Sequence, residues 1–80
     1  MGNSETAKLL ERITFDPRVM GGKALIRGLR ISAEQVIKAL ASGVPEKDIL
    51  SDYPELEKED IQAVLLYASN LVEEERVFEI

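Results

Sequence analysis

The chain has 80 residues, a formal net charge of −5, and neither cysteine nor histidine. It therefore lacks a thiolate nucleophile, a sulfur ligand for a metal ion, and the side chain that most often serves as a general base. No apolar run approaches the roughly 20 residues that cross a bilayer, and no signal-peptide pattern opens the chain, so we expect a cytoplasmic domain with no enzymatic, cofactor, metal or membrane role.

Charge is distributed unevenly along the chain. Residues 1–40 carry seven basic and four acidic side chains, a net +3, whereas residues 41–80 carry three basic and eleven acidic ones, a net −8. An anionic partner would therefore approach the first half of the chain, and a basic partner the second half.

A β-hairpin is predicted over residues 13–31. A short β-prone run leads into a Gly21-Gly22 corner, which supplies the backbone freedom for a reversal. An apolar strand is then predicted over residues 25–31. Gly28 weakens this strand, and we expect a bulge, a bend or a close backbone approach there.

Three helices are predicted after the hairpin. Ser32 and Gln35 fit a capping box at the start of the first helix, and Gly43 fits a left-handed cap at its end. Pro45 suits the first turn of a second, short helix. The third and longest helix is predicted over residues 57–74 from its apolar period of 3.6 residues.

These elements together predict one domain that is mainly α. Its centre, residues 32–74, is expected to be a three-helix, homeodomain-like core of the helix-turn-helix type, with the short β-hairpin on its N-terminal side. Residues 1–12 predict a flexible start or a short helix, and residues 75–80 predict a tail.

The last helix carries two apolar faces. The face predicted to point into the core comprises Ile61, Val64, Leu65, Ala68, Leu71 and Val72. The second face comprises Ala63, Leu66, Tyr67 and Asn70. An aromatic beside small residues and an amide is typical of an interface, so the second face predicts a homodimer or partner contact. The alternative is that Tyr67 packs under the hairpin and Leu66 is one ordinary exposed side chain.

A helix-turn-helix domain normally places its last helix in the major groove of DNA. Here that helix begins with Glu57, Glu59 and Asp60, which DNA phosphates would repel, although acidic residues also stabilise the first turn of any helix. If nucleic acid is bound, the better-placed cations are those of the hairpin: Arg18, Lys23, Arg27 and Arg30. The alternative for these four is a solvated strand face with salt bridges to the acidic half.

A specific set of glycine, proline, acidic and apolar positions runs between residues 13 and 68. The set comprises Ile13-Thr14-Phe15-Asp16-Pro17, Gly21-Gly22-Lys23, Ile26-Arg27-Gly28, Arg30-Ile31, Gly43, Asp48-Ile49-Leu50, Asp52-Tyr53-Pro54, Leu56, Glu59-Asp60-Ile61 and Tyr67-Ala68. In this order it resembles the signature of a small prokaryotic family known as domain of unknown function 433. The resemblance implies a helix-turn-helix-type domain, often treated as the antitoxin half of a toxin–antitoxin pair, with no settled biochemical activity. Pro45 departs from the family pattern, which usually has a Ser or Thr cap there.

Two hypotheses of different classes follow. The first is an antitoxin-like regulatory protein, homodimeric and cytoplasmic, that binds a toxin partner and its own operator DNA. The second is a protein-interaction or assembly module with no nucleic-acid role, which the acidic start of the last helix favours. A neighbouring gene for a small nuclease-like protein would favour the first hypothesis, and its absence the second.

Overall fold

The computed structural model describes residues 2–76, with the side chains of residues 5–74. Its elements in chain order are α1 Gly2–Leu10, β1 Ile13–Phe15, a 3-10 turn Met20–Gly22, β2 Ala24–Ile26, α2 Ala33–Ala41, α3 Glu46–Asp52 and α4 Lys58–Arg76. The prediction of a mainly helical fold with a short N-terminal hairpin is therefore confirmed. The predicted tail overlaps the end of α4, and residues 77–80 lie outside the described part of the chain.

The two strands form an antiparallel hairpin in which Ile13 lies opposite Ile26, and Phe15 lies opposite Ala24. Ile13 and Ile26 are both buried, because this end of the hairpin faces the helices. Phe15 is 57% exposed at the other end. The hairpin therefore covers the core with one end and presents an aromatic side chain at the other.

The second strand is shorter than predicted. It ends at Ile26, because Arg27 and Gly28 both adopt left-handed φ angles, 48° and 72°. The backbone N–H of Leu29 donates to the carbonyl of Ile26 at 2.8 Å, which closes a tight turn of the type that joins hairpin strands. The irregularity expected at Gly28 is thus a full chain reversal, and residues 25–31 are two short extended pieces around it.

The boundaries of α2 follow the sequence signals closely. The Ser32 side chain accepts a hydrogen bond from the backbone N–H of Gln35, and the Gln35 side chain accepts one from the backbone N–H of Ser32, which confirms the capping box. Gly43 has a φ of 88° and ends the helix in a left-handed conformation, as predicted. Pro45 lies one position earlier than expected, as the N-cap of α3.

The core-facing prediction for α4 is right for its first turns and wrong for the rest. Ile61 is 1% exposed and Val64 is fully buried, but Leu65, Leu71 and Val72 are 51%, 44% and 56% exposed. Apolar residues recur at helical spacing along the whole of α4, but neighbouring elements cover this side only in its first turns. Helix α4 therefore continues past the core with apolar side chains in solvent.

The second face of α4 is largely buried within the chain. Helix α1 packs along α4, and Glu5, Lys8 and Leu9 line a groove together with Glu59 and Gln62. Tyr67 of the second face packs instead against Phe15 of the hairpin. The four residues predicted there as an interface are Ala63, which is fully buried, and Leu66, Tyr67 and Asn70, which are partly buried. Ala63 therefore cannot anchor a partner, which corrects that part of the prediction.

Candidate functional site

A fully buried carboxylate, Asp60, lies at the third position of α4. Its Oδ1 accepts hydrogen bonds from Nη1 of Arg12 at 2.9 Å and from Nε of Arg27 at 3.0 Å. Its Oδ2 accepts from Nη2 of Arg27 at 2.9 Å and from the backbone N–H of Glu57 at 2.7 Å. Asp60 thus joins the segment before β1, the turn after β2 and the start of α4. We call Arg12, Arg27, Glu57 and Asp60 the α4 lock.

Local backbone structure places each member of the lock. The left-handed turn lets the backbone N–H of Arg27 donate a hydrogen bond to the carbonyl of Arg12 at 2.7 Å. The side chains of the two arginines therefore extend from neighbouring backbone positions. Nη2 of Arg27 also donates to the carbonyl of Glu55 at 2.6 Å, and Nη1 of Arg12 donates to the Glu57 carboxylate at 2.8 Å. The bond from the Glu57 N–H to Asp60 is one half of a capping box. The lock therefore closes the loop before α4 and satisfies a free amide at its start.

The lock keeps its charges. Burial alone would raise the pKa of Asp60, but hydrogen bonds from Arg27, the Glu57 backbone and Arg12 outweigh it and hold that pKa below its usual value. The bonds to Glu57 and Asp60 raise the pKa of Arg12, and the bond to Asp60 raises that of Arg27. A buried carboxylate paired with two guanidinium groups is a structural ion cluster, since all its oxygen sites are filled by donors of the same chain.

Three of the four cations predicted to meet nucleic acid are ion-paired within the chain. Arg18 pairs with Asp16 at 3.1 Å, although its side chain is 87% exposed. Lys23 pairs with Glu34 at 2.7 Å, and Arg27 belongs to the α4 lock. Arg30 is exposed and makes no ion pair within the described residues. Only Arg27 forms the predicted salt bridge to the acidic half of the chain, since Asp16 and Glu34 belong to the first half. Of the four predicted cations, Arg30 is the one without an ion pair within the described residues.

The second half of α4 presents a row of apolar side chains to solvent. Leu65, Ala68 and Val72 are three and four residues apart, so they lie on one side of the helix. Leu65 and Val72 are more than half exposed, and Ala68 is partly buried. We call these three residues the outer row. Such a spacing is the pattern by which a helix side binds a groove on another protein.

A cleft of about 390 Å³ lies between α2 and α4, on the side that faces the hairpin. Its floor is apolar and comprises Ala24, Ala33, Ile37, Tyr67 and Leu71. Its rim carries Lys23, Glu34 and Lys38. The ring of Tyr67 packs against that of Phe15 with centroids 6.1 Å apart and tilted by 58°, so aromatic surface extends from the floor to the exposed end of the hairpin. We call this feature the α2–α4 cleft.

The central role of Asp60 was not predicted from the sequence, although the pattern contained a signal for it. Asp60 stands four residues before Val64 and three before Ala63, so it shares their buried side of α4. A carboxylate at a buried position needs cationic partners, and the first half of the chain supplies basic residues in excess. The period of the helix together with the charge asymmetry would have indicated a buried ion pair between the two halves.

Among the side chains of the described residues, no group of three carboxylates lies close enough to hold a metal ion. Within the same part of the chain, no helix combines the length and apolar character that a membrane span requires.

Comparison with known proteins places the chain beside uncharacterised relatives. A family model described as "Protein of unknown function (DUF433)" matches residues 13–68. The chain is 30% identical over 64 residues to the uncharacterized protein y4eO of Sinorhizobium fredii (strain NBRC 101917 / NGR234), an alignment that covers 80% of this chain and 29% of that protein. The chain thus spans less than a third of the length of that curated relative. No solved structure matches the chain.

Proposed function

The chain belongs to the DUF433 family, and from that premise we propose that it is the antitoxin-like component of a toxin–antitoxin pair, acting by binding a protein toxin. The observation that carries this proposal is the outer row on the second half of α4. Exposed, contiguous apolar surface on a small soluble domain is typical of a protein-binding site. A helix side with anchors at this spacing is suited to insert into a groove of the partner.

The charges at the start of α4 support a protein partner over DNA for this helix. Glu57, just before the helix, and Glu59, in its first turn, are exposed. The guanidinium groups of Arg12 and Arg27 pair with Asp60. A recognition helix usually approaches DNA with cations or free backbone amides at this end. Here the cations are paired, and the Glu57 amide is bonded to Asp60.

The test is a calorimetric titration of the full chain with the protein encoded by its neighbouring gene. We expect saturable binding that Leu65→Lys and Val72→Lys each weaken by roughly thirtyfold or more, because each buries a charge in an apolar contact. The matched control is Ser51→Lys, which adds the same charge at an exposed position of α3. Binding that is unaffected by the two outer-row variants would contradict the proposal.

A second candidate function is binding of operator DNA through the hairpin side. One observation favours it, namely that Arg30 is exposed and makes no ion pair within the described residues. A fluorescence titration with labelled duplex from the upstream region, at low and at physiological salt, tests this candidate. Binding that weakens on Arg30→Ala would support it. No binding to DNA at low salt and none to the neighbouring gene product would favour an assembly module instead.

A further inference from the structure

We infer that the α2–α4 cleft is the docking site for a second copy of this chain, which inserts the end of its own α4. The cleft has an apolar floor that no element of the described chain covers, and Leu71 at its edge is 44% exposed. Phe15, which extends the same surface through its contact with Tyr67, is 57% exposed. A domain of this size buries a limited fraction of its surface alone, so covering this face would add substantially to its apolar burial.

Charge complementarity identifies the occupant. On the rim, Lys23 and Lys38 both pair with Glu34, at 2.7 Å and 3.1 Å, which leaves the rim with one net positive charge. The end of α4 has the opposite character, since Leu71 is followed within three residues by the exposed carboxylates Glu73 and Glu74. One chain therefore carries both an apolar cleft with a basic rim and an apolar helix end with an acidic edge.

The position of Leu71 makes the contact reciprocal. In a two-fold dimer, the two α4 helices run antiparallel and cross at Leu71. A residue that follows Leu71 on one helix then lies at the same height as the residue that precedes Leu71 by the same number of positions on the other helix. Glu74 of the second copy then lies level with Ala68, about one residue from Tyr67. Tyr67 contacts Phe15, which is paired with Ala24 beside Lys23. The two-fold arrangement therefore brings each Glu74 towards the Lys23 of the other copy.

This dimer and the proposed toxin contact use different sides of α4. Leu71 and Val72 are neighbours in sequence, so their side chains point about 100° apart around the helix. The cleft lies on the Leu71 side and the outer row on the Val72 side. Either proposal can therefore fail while the other stands.

Sedimentation equilibrium of the full chain over a wide concentration range tests the inference. We expect a reversible dimer, and Leu71→Lys should raise its dissociation constant roughly thirtyfold or more by placing a charge at the apolar crossing point. The control is Ser69→Lys, an exposed position on the opposite side of α4, which should leave the dimer unchanged. Circular dichroism on both variants separates loss of the dimer from loss of the fold.

Charge exchange distinguishes a second copy from any other occupant. Glu74→Lys and Lys23→Glu should each weaken the dimer roughly threefold to tenfold, because an attraction becomes a repulsion at the rim. The double variant restores the attraction with its sign reversed and should return close to the original dissociation constant. A partner of different sequence gives no such rescue. A double variant that binds as weakly as the single variants would therefore overturn the inference. A chain that stays monomeric at all concentrations would overturn it as well.

Discussion

The two halves of α4 have similar apolar content and opposite surroundings. In residues 58–64, Asp60, Ile61, Ala63 and Val64 are at most 1% exposed. In residues 65–74, Leu65, Leu71 and Val72 are 44% to 56% exposed. Apolar residues at the same helical spacing therefore pack in the core in the first half of α4 and contact solvent in the second half. Periodicity thus shows which residues share a side of a helix, while neighbouring elements decide whether that side is covered.

This difference separates folding from binding along one helix. The first half is held by the hairpin, α1, α2 and the α4 lock, so changes there should alter the free energy of unfolding. The exposed residues Leu65 and Val72 of the second half contribute little buried surface, so changes there should alter association and leave stability nearly constant.

Among changes to the lock, removing the carboxylate at its centre should have the largest effect on the free energy of unfolding. Asp60→Ala leaves Arg12 and Arg27 without their shared partner and the Glu57 amide without its acceptor. We expect a loss of about 3 kcal/mol in the free energy of unfolding, since breaking a buried ion pair from one side is costly. Urea denaturation measures it. Glu59→Ala, the exposed neighbour in the same turn, is the control, and equal losses for the two would contradict the role assigned to the lock.

Acid should weaken the lock reversibly, with a smaller effect than deletion because a protonated Asp60 keeps some hydrogen bonds. The pKa of Asp60 is lowered in the folded state, so the folded protein prefers the charged form. Its contribution to stability is therefore complete above the unfolded-state pKa of about 3.9 and is lost as the pH falls below that value through the folded-state pKa.

The measurement for this pH effect is the difference in unfolding free energy between the original chain and Asp60→Asn as a function of pH. We expect the difference to be constant near neutrality and to shrink below about pH 4. Part of the acid dependence should persist in the variant. Asp16 and Glu34 remain, and the pKa of each is lowered by its bonds to Arg18 and to Lys23 and Lys38, respectively. A difference that stays constant down to pH 2 would show that the Asp60 charge does not stabilise the fold.

Changing the geometry of the lock while keeping its charge should cost less. Arg27→Lys retains a cation but loses the fork that donates to both oxygens of Asp60 and to the Glu55 carbonyl. We expect a loss of about 1 kcal/mol in urea denaturation. Arg30→Lys, an exposed position of the following loop, is the matched control. If neither substitution changes the free energy of unfolding, the lock depends on the charge of Arg27 and not on its hydrogen-bond geometry.

Much of the fold could be predicted from local chemistry. The capping box at Ser32, the left-handed Gly43 and the break near Gly28 are each set by a few adjacent residues, and the structure has all three. The length of the second strand could not be predicted, because Arg27 adopts a left-handed φ that a non-glycine residue seldom has. Contacts with Asp60, 33 residues away, and with Arg12 hold it there.

The candidate site was harder to predict because it depends on contacts distant in sequence. The pairing of Arg27 with Asp60 requires the hairpin turn and the start of α4 to meet, which no local pattern specifies. The exposure of Leu65 likewise depends on where the covering elements end. The charge asymmetry between the two halves of the chain was the available hint, since it indicated that basic residues of the first half would meet acidic residues of the second.

The smallest effect is expected at Leu65, and its comparison with Ile61 tests the contrast between the halves directly. The two residues are four positions apart on the same side of α4, yet Ile61 is 1% and Leu65 is 51% exposed. Ile61→Ala should lower the free energy of unfolding by about 3 kcal/mol, because it leaves a cavity in the core. Leu65→Ala should change it by less than about 0.5 kcal/mol, since alanine is also a good helix former. A loss at Leu65 as large as that at Ile61, measured by urea denaturation at a concentration where the chain is monomeric, would mean that the second half of α4 is covered in solution and that the outer row is part of the core.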